Sequence, residues 1–389
     1  MTKPPYLSLS GFYFCYFATL GTFIPYWGVY LNNAGFNHQQ IGELSALLSA
    51  TRILSPNIGG WLADSTGKSL AVIRFCCFFA ALLFGCFLLP NRYAGLVVIT
   101  LGFGLFWNVI LPQFEAATLH HISQYPRRYS QIRLWGSVGF IAAVLGVGSL
   151  LDHQPSAGIP PIVLVLLACN WVVALFVPEI QQHRTDVARG RTLGKRIDKP
   201  EVLAFLLVCL LLQAAHAPYY VFYSLYLKQH GYTTALTGGL WALGVVAEIM
   251  LFMVMGRLLS YLSLRNILLC SISLGILRWL LLAYYADDLS CLVVAQLLHA
   301  ATFGGVHVAT IHLVQRYFGG RHQGKGQALL VSIGYGLGGL LGSYYSGLFW
   351  QAQGGPVVFV LSAACCGLAL LIAFVWVGRE NTPHLESLG

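Results

Sequence analysis

Long apolar runs, each near the length of a bilayer crossing, alternate with short polar breaks along nearly the whole chain. A crossing helix needs roughly 20 predominantly apolar residues. Reading between the breaks predicts twelve helices at about 8–32, 38–62, 69–89, 93–119, 130–151, 159–178, 201–228, 235–259, 265–286, 289–316, 326–350 and 356–377, ends placed to within about 2 to 4 residues. The expected fold class is an all-α membrane protein. One long polar stretch, 181–200, is rich in charge and poor in aromatic residues and follows the sixth run. It predicts a cytoplasmic linker between six-helix bundles at 1–180 and 201–389.

An internal repeat supports that division. Tyr30-Leu31, Gly35-Phe36, Gly42, Leu44 and Gly60 recur 196 positions later as Tyr226-Leu227, Gly231-Tyr232, Gly238, Leu240 and Gly256, and Ser137-Val-Gly139 recurs as Ser332-Ile-Gly334. Halves repeated in this way, with a site between them near mid-bilayer, are the layout of rocker-type transporters. The same register pairs Arg52 with Glu248, opposite charges at equivalent depth. The glycines of the eleventh run, from Gly334 to Gly342, allow close helix approach, with plain tight packing as the simpler reading.

Composition removes the water-soluble alternatives. Of 389 residues, 57% are hydrophobic and 9% charged, and the mean hydropathy is +0.71, too much apolar surface for a soluble core. With Met1 inside, Lys3, Lys68, Arg74, Arg127, Arg128, Arg133, the cluster within 184–199, Arg257, Arg265, Arg316, Arg321, Lys325 and Arg379 all fall on or beside cytoplasmic segments. Arg92 and Lys228 fall outside. The positive-inside rule then puts both termini in the cytoplasm. It also accounts for the +9 net charge without a nucleic-acid partner, because the cations are spread over separate loops. The first run is too long for a signal peptide and reads as a retained helix. The ten cysteines lie in or beside apolar runs without metal-type spacing and read as packing residues. No metal or cofactor is expected. With no HExxH, GxSxG or paired CxxC pattern the chain does not read as an enzyme. The expected partners are a small-molecule substrate, protons and lipid, and the expected state is a monomer.

A charge at a helix centre costs about 2.5 to 3.5 kcal/mol on insertion scales. Arg52, Glu248 and Arg278 sit mid-run, and Glu115 and Arg133 lie nearer the cytoplasmic ends. They read either as groups facing a wet cavity or as structural ion pairs; for Glu43 the structural reading is favoured. Asn108, seven residues before Glu115, lies within about 20° of it on one helical face. His216 precedes Pro218-Tyr219-Tyr220, where the missing amide loosens the helix and the phenols offer ring faces and hydroxyls. His299 and His307 can border one cavity, although His307, like His312, reads equally as a histidine satisfied by a carbonyl. His120 and His121 read as ordinary residues at the cytoplasmic mouth.

Gly60-Trp-Leu-Ala-Asp64-Ser-Thr-Gly67-Lys68 resembles the loop between the second and third helices of the major facilitator superfamily. A phosphate-binding loop is excluded because Leu62 stands where its first glycine is needed. Pro112-Gln-Phe-Glu115-Ala with Arg133-Leu-Trp-Gly136, and Glu248, Arg278 and His299, resemble the sugar-binding and coupling groups of lactose permease and its sugar:proton symporter relatives. Thr302 replaces that family's second acid, and Arg52 has no counterpart there. Ala50-Thr-Arg52-Ile-Leu54, Arg133-Leu-Trp-Gly-Ser-Val138, Leu212-Gln-Ala-Ala-His216-Ala, Gly244-Val-Val-Ala-Glu248 and Leu297-Leu-His299 are similar to segments of the bacterial 3-phenylpropionic acid transporter branch, from about residue 11 to 375.

The resemblance implies a proton-coupled symporter of the inner membrane working by alternating access. The expected cargo is an aromatic or related monocarboxylate. Its substrate site would be Arg52, Trp107, Asn108, Glu115, Arg133, His216, Tyr219 and Tyr220, with Phe222 as a further apolar wall. Arg52 is the first candidate anchor because guanidinium is permanently charged and binds carboxylate bidentately. Proton coupling would fall to Glu248, Arg278, His299 and His307, with movement of Arg278 switching the proton on Glu248. Gly60, Asp64, Gly67 and Lys68 would act as a gate. The alternatives are a neutral sugar or nucleoside symporter and an efflux antiporter.

Overall fold

The computed structural model describes residues 5–125, 128–154, 158–179 and 199–379, apart from the side chain of Arg321. In chain order the helices are α1 (Tyr6–Asn33), α2 (His38–Thr66), α3 (Ser69–Leu88), α4 (Tyr93–His121), α5 (Arg128–His153), α6 (Ile159–Leu175), α7 (Pro200–Gln229), α8 (Thr234–Tyr261), α9 (Leu264–Tyr284), α10 (Leu289–Phe318), α11 (Gln323–Gln353) and α12 (Gly355–Trp376). Among the described residues, ten of these are long and apolar enough to cross a membrane, which makes the chain a multi-pass, all-helical membrane protein. The two that fall short do so differently. Helix α6 is apolar but only 17 residues long, whereas α2 is long but carries Glu43, Arg52 and Asp64. The expected linker 181–200 lies, but for Lys199 and Pro200, outside the described residues.

The repeat is written into the turns. Gly35 (φ +90°) ends α1 and Gly231 (φ +80°) ends α7, left-handed conformations that a side chain would strain. In both turns the residue after the glycine donates its amide to a carbonyl five residues back, Phe36 to Leu31 and Tyr232 to Leu227, each at 3.1 Å. The next residues, Asn37 and Thr233, cap α2 and α8 by accepting from the Gln40 and Leu236 amides. Helices α10 and α11 each contain a π-helical stretch, Ala300–Gly305 and Leu330–Gly338.

Within residues 5–179, α1 packs on α5 and α6, α2 on α4, and α3 on α4 and α6. Within 199–379, α7 packs on α11 and α12, α9 on α10 and α12, and α8 on α10. Three seams join these two sets: α2 with α11, α5 with α8, and α1 with α7. The α2–α11 seam is so tight that a Cβ on Gly42 would stand 2.6 Å from the Gly347 Cα. Hydrogen bonds cross the seams at two levels: towards the α2–α3 end Ser332 of α11 donates to the Ile53 carbonyl of α2 (3.1 Å), and a larger group lies at the end that carries the α1–α2 turn. There Gln351 accepts from the His38 amide (3.1 Å), Lys228 donates to Asn33 (3.2 Å), and the two Asp152 carboxylate oxygens accept from the Thr234 and Ala235 amides, both at 2.8 Å.

Candidate functional site

Between the three seams lies a cavity of about 350 Å³, walled by α1, α2, α5, α7, α8, α10 and α11. Its layers follow from helix direction and a rise of about 1.5 Å per residue. Nearest the α2–α3 end are the charged residues Arg52, Arg133 and Glu248, with Gln213, Phe303 and Tyr335. About 10 Å deeper, seven residues along α2 and α8, the wall turns to Ser45, Trp27, Phe140, Tyr220 and Trp241. Beyond that layer the helix ends are tied together by Asp152, Gln351 and Lys228, so the cavity is sealed at the α1–α2 end.

On the wall from residues 5–179, Arg52 reaches the cavity with its Nε 3.4 Å from Asn108 Oδ1. Asn108 does not itself line the cavity. Its amide donates to Thr51 Oγ1 (2.7 Å) and to the Leu48 carbonyl (3.2 Å), fixing the oxygen that faces Arg52. Arg133 lines the cavity above the Phe17 ring, 4.1 Å from its centroid, and stands 3.8 Å from Glu115, which sits behind it. Trp107 faces inward to the core of this half, stacked on Tyr16 at 4.3 Å.

On the opposite wall, Glu248 and His299 meet at 4.0 Å and both line the cavity. Arg278, expected beside Glu248, is held elsewhere. It is completely buried, donates to the Ala295 carbonyl (3.0 Å) and Thr302 (3.3 Å), and lies 4.4 Å from the ring centroids of both Tyr219 and Trp279. Tyr219 is a partner of Arg278 and of Gln296 (2.9 Å) rather than a cavity residue, whereas its neighbour Tyr220 does line the cavity. His216 gives its Nδ1–H to the Leu212 carbonyl (2.8 Å) and borders a separate cavity of about 40 Å³. His307 borders that side cavity too, its Nδ1 3.5 Å from the Tyr335 hydroxyl. The rings of His299, Phe303 and His307 are stacked along α10, linking the two cavities. Phe222 is buried against Trp350.

The gate candidates form the end of α2. Gly67 takes φ +67° and returns its amide to the Ala63 carbonyl, and the Lys68 amide meets Thr66 Oγ1 at 3.4 Å. Gly60 faces the Gln113 side chain. Asp64 is exposed and makes no ion pair or hydrogen bond among the described residues.

Several cavity residues escaped the sequence reading: Trp27, Gln213, Trp241, Ser343 and Tyr335. Gln213 carried the signal that singled out Arg52, a polar side chain within an apolar run. The aromatic residues and the serine carried none, because such residues also fill helix interfaces throughout the chain.

Known proteins agree with this architecture. The model of the MFS_1 like family matches residues 6–361. The "Probable 3-phenylpropionic acid transporter" of Escherichia coli (strain K12) is 28% identical over 356 residues, covering 90% of this chain and 92% of the relative. The "Maltose permease" of Geobacillus stearothermophilus is 26% identical over 383 residues, covering 96% and 95%. The crystal structure of the nucleoside transporter NupG superposes with a TM-score of 0.82 at 19% identity, covering 95% of this chain and 98% of that one, which fixes the fold. The family match over nearly the whole chain, on a multi-pass helical protein with a buried charged cavity, identifies this chain as a membrane transporter belonging to the MFS_1 like family.

Proposed function

We propose that this protein is a proton-coupled symporter of the bacterial inner membrane that takes up an aromatic or related monocarboxylate. In this reading twelve helices span the membrane as two six-helix bundles, residues 1–180 and 201–389, joined by the linker at 181–200 with both termini cytoplasmic. The α1–α2 end is then periplasmic, and the sealed arrangement described above is the inward-facing state of an alternating-access cycle.

The charge balance of the cavity carries the proposal. With the groups behind the wall included, Arg52, Arg133 and Arg278 are three positive charges, and Glu248 and Glu115 are two negative ones. With His299 neutral the site carries one excess positive charge, and a proton on Glu248 raises that to two. A monoanion therefore fits best when Glu248 is protonated, which couples proton and substrate by mutual stabilisation. Arg52 is the anchor: its partner across α4 is the neutral Asn108, so its charge remains available to a carboxylate. The Glu248–His299 contact supports this pair as the proton site, with Arg278 as the fixed element behind it. Among the described residues Asp64 of the gate motif is exposed and unpaired, and it would dock when the α2–α3 end closes. The name of the phenylpropionate relative supports this cargo class.

One proton with one monoanion is electroneutral, so uptake into proteoliposomes should follow an imposed pH gradient and ignore a potassium-diffusion potential. Labelled 3-phenylpropionate accumulating under a pH gradient is the expected result. A second reading, a neutral-solute symporter using Glu115 and Arg133, is favoured by the maltose permease relative. Accumulation of labelled maltose or uridine without that of the acid would establish it and end the monocarboxylate proposal.

A further inference from the structure

We infer that the substrate is an aryl carboxylic acid bearing a hydroxyl on its ring, bound with its carboxylate towards Arg52 and Arg133 and its ring towards the sealed end. This rests on the monocarboxylate reading above and adds orientation and a second polar contact to it.

The orientation follows from the layering. Every charged side chain lining the cavity among the described residues, Arg52, Arg133 and Glu248, belongs to the layer near the α2–α3 end. The layer about 10 Å deeper is aromatic and has no exit. A rigid molecule with one anionic and one flat apolar end fits such a chamber best in one direction, because reversal would move the carboxylate about 10 Å from Arg52 and Arg133 into a layer with no cation to pair it.

The hydroxyl follows from the α2–α11 seam. Along it Gly336 abuts Ile53, Gly339 abuts Ser49 and Gly347 abuts Gly42, so interpolation places Ser343 beside Ser45. All three serines line the cavity, forming a column of hydroxyls that rises from Arg52 into the aromatic layer. Ser45 donates to its own helix, to the Ile41 carbonyl at 2.9 Å, leaving its lone pairs open. Ser49 and Ser343 have no side-chain hydrogen bond among the described residues, although Ser343 is only 3% exposed. An unsubstituted ring pressed on this column would strip water from Ser343 and give nothing back. A ring hydroxyl on that edge replaces the water, and a site built to bind a hydroxyl discriminates against the analogue that lacks one. Of the facing residues, Phe23, Ile24 and Phe140 are apolar and the Trp241 indole N–H is committed to Ser224, so apart from Ser137 and Tyr220 they offer little to a molecule with hydroxyls all round its rim, which sets a sugar apart from a phenol.

The test is equilibrium binding to the purified full-length protein, with 3-phenylpropionate, 3-(3-hydroxyphenyl)propionate, 3-(4-hydroxyphenyl)propionate, maltose and uridine as probes. The expected result is that one hydroxylated acid binds about fivefold tighter than 3-phenylpropionate. Ser343→Ala should reduce that ratio towards one, Ser49→Ala should reduce it in part, and Arg52→Gln should weaken all three acids by a common factor. Equal binding of the three acids to the native protein, or a ratio that survives both serine substitutions, overturns this inference and leaves the monocarboxylate reading intact. Binding of maltose or uridine but of no acid, or of none of the five, overturns both.

Discussion

The two walls of the cavity are built from the same repeat and hold their charges in opposite ways. The wall from residues 5–179 presents two guanidinium groups on the cavity surface, each with a long polar contact behind it, Arg52 to Asn108 at 3.4 Å and Arg133 to Glu115 at 3.8 Å, and Arg133 also lies over the Phe17 ring. The wall from residues 199–379 buries its arginine completely between two rings and two acceptors, leaving a carboxyl and an imidazole at the surface. The lesson is that a charge in a membrane helix has no single meaning. A loosely tethered one on the cavity surface is free to serve a ligand, whereas one buried between two rings and bonded through two of its nitrogens is part of the frame.

The contrast can be broken by experiment. The largest effect is expected from Glu248→Gln, which removes the titrating group while keeping its shape. Accumulation driven by a pH gradient should fall to the passive level, and equilibrium exchange of labelled 3-phenylpropionate should persist; loss of both would remove Glu248 from the coupling role. Next, Arg52→Gln should weaken acid binding about tenfold or more at nearly unchanged thermal stability. Arg278→Gln should instead cost about 2 to 4 kcal/mol of stability, seen as a lower melting temperature in detergent, because it strips the Ala295 carbonyl and Thr302 of a donor and leaves a gap between Tyr219 and Trp279. If the two arginine variants behave alike, the two walls do not differ in the way described.

A smaller effect concerns the seal, where the repeat is again unequal. The last turn of α5 caps the start of α8 with a carboxylate, and the last turn of α11 caps the start of α2 with the amide oxygen of Gln351. A carboxylate at a helix N-terminus gains from both the amides and the helix dipole. Asp152→Ala should therefore shift the population towards opening at this end by about tenfold, and Gln351→Ala by about threefold. Distances between spin labels on the α1–α2 and α7–α8 turns would report both shifts. An equal response would make charge irrelevant to the latch.

Ten of the expected spans and the repeat were legible because they depend on composition and on local turn chemistry. The glycines at 35 and 231 and the caps at 37 and 233 do the same work wherever the chain carries them, and they pair off in the sequence itself. The candidate site was legible in part. Arg52, Arg133, Tyr220, Glu248 and His299 share one cavity, while Trp107, Asn108, Tyr219 and Arg278 stand behind its wall, and His216 and His307 border a second one. All eleven are polar or aromatic residues in apolar runs, so nothing along the chain distinguishes a lining residue from one behind the wall.

The sequence by itself determined that this chain lives in a bilayer, that its two parts repeat, and that a few charges must find shelter within it. Each follows from the free energy of moving single residues or short segments out of water, a quantity carried by the residues themselves. Which shelter each charge found was decided only by tertiary structure. Helical periodicity gives the angle of a side chain about its own axis, but the neighbour at that angle is chosen when helices pack, and that choice put Arg278 between two rings and Arg52 on the cavity wall.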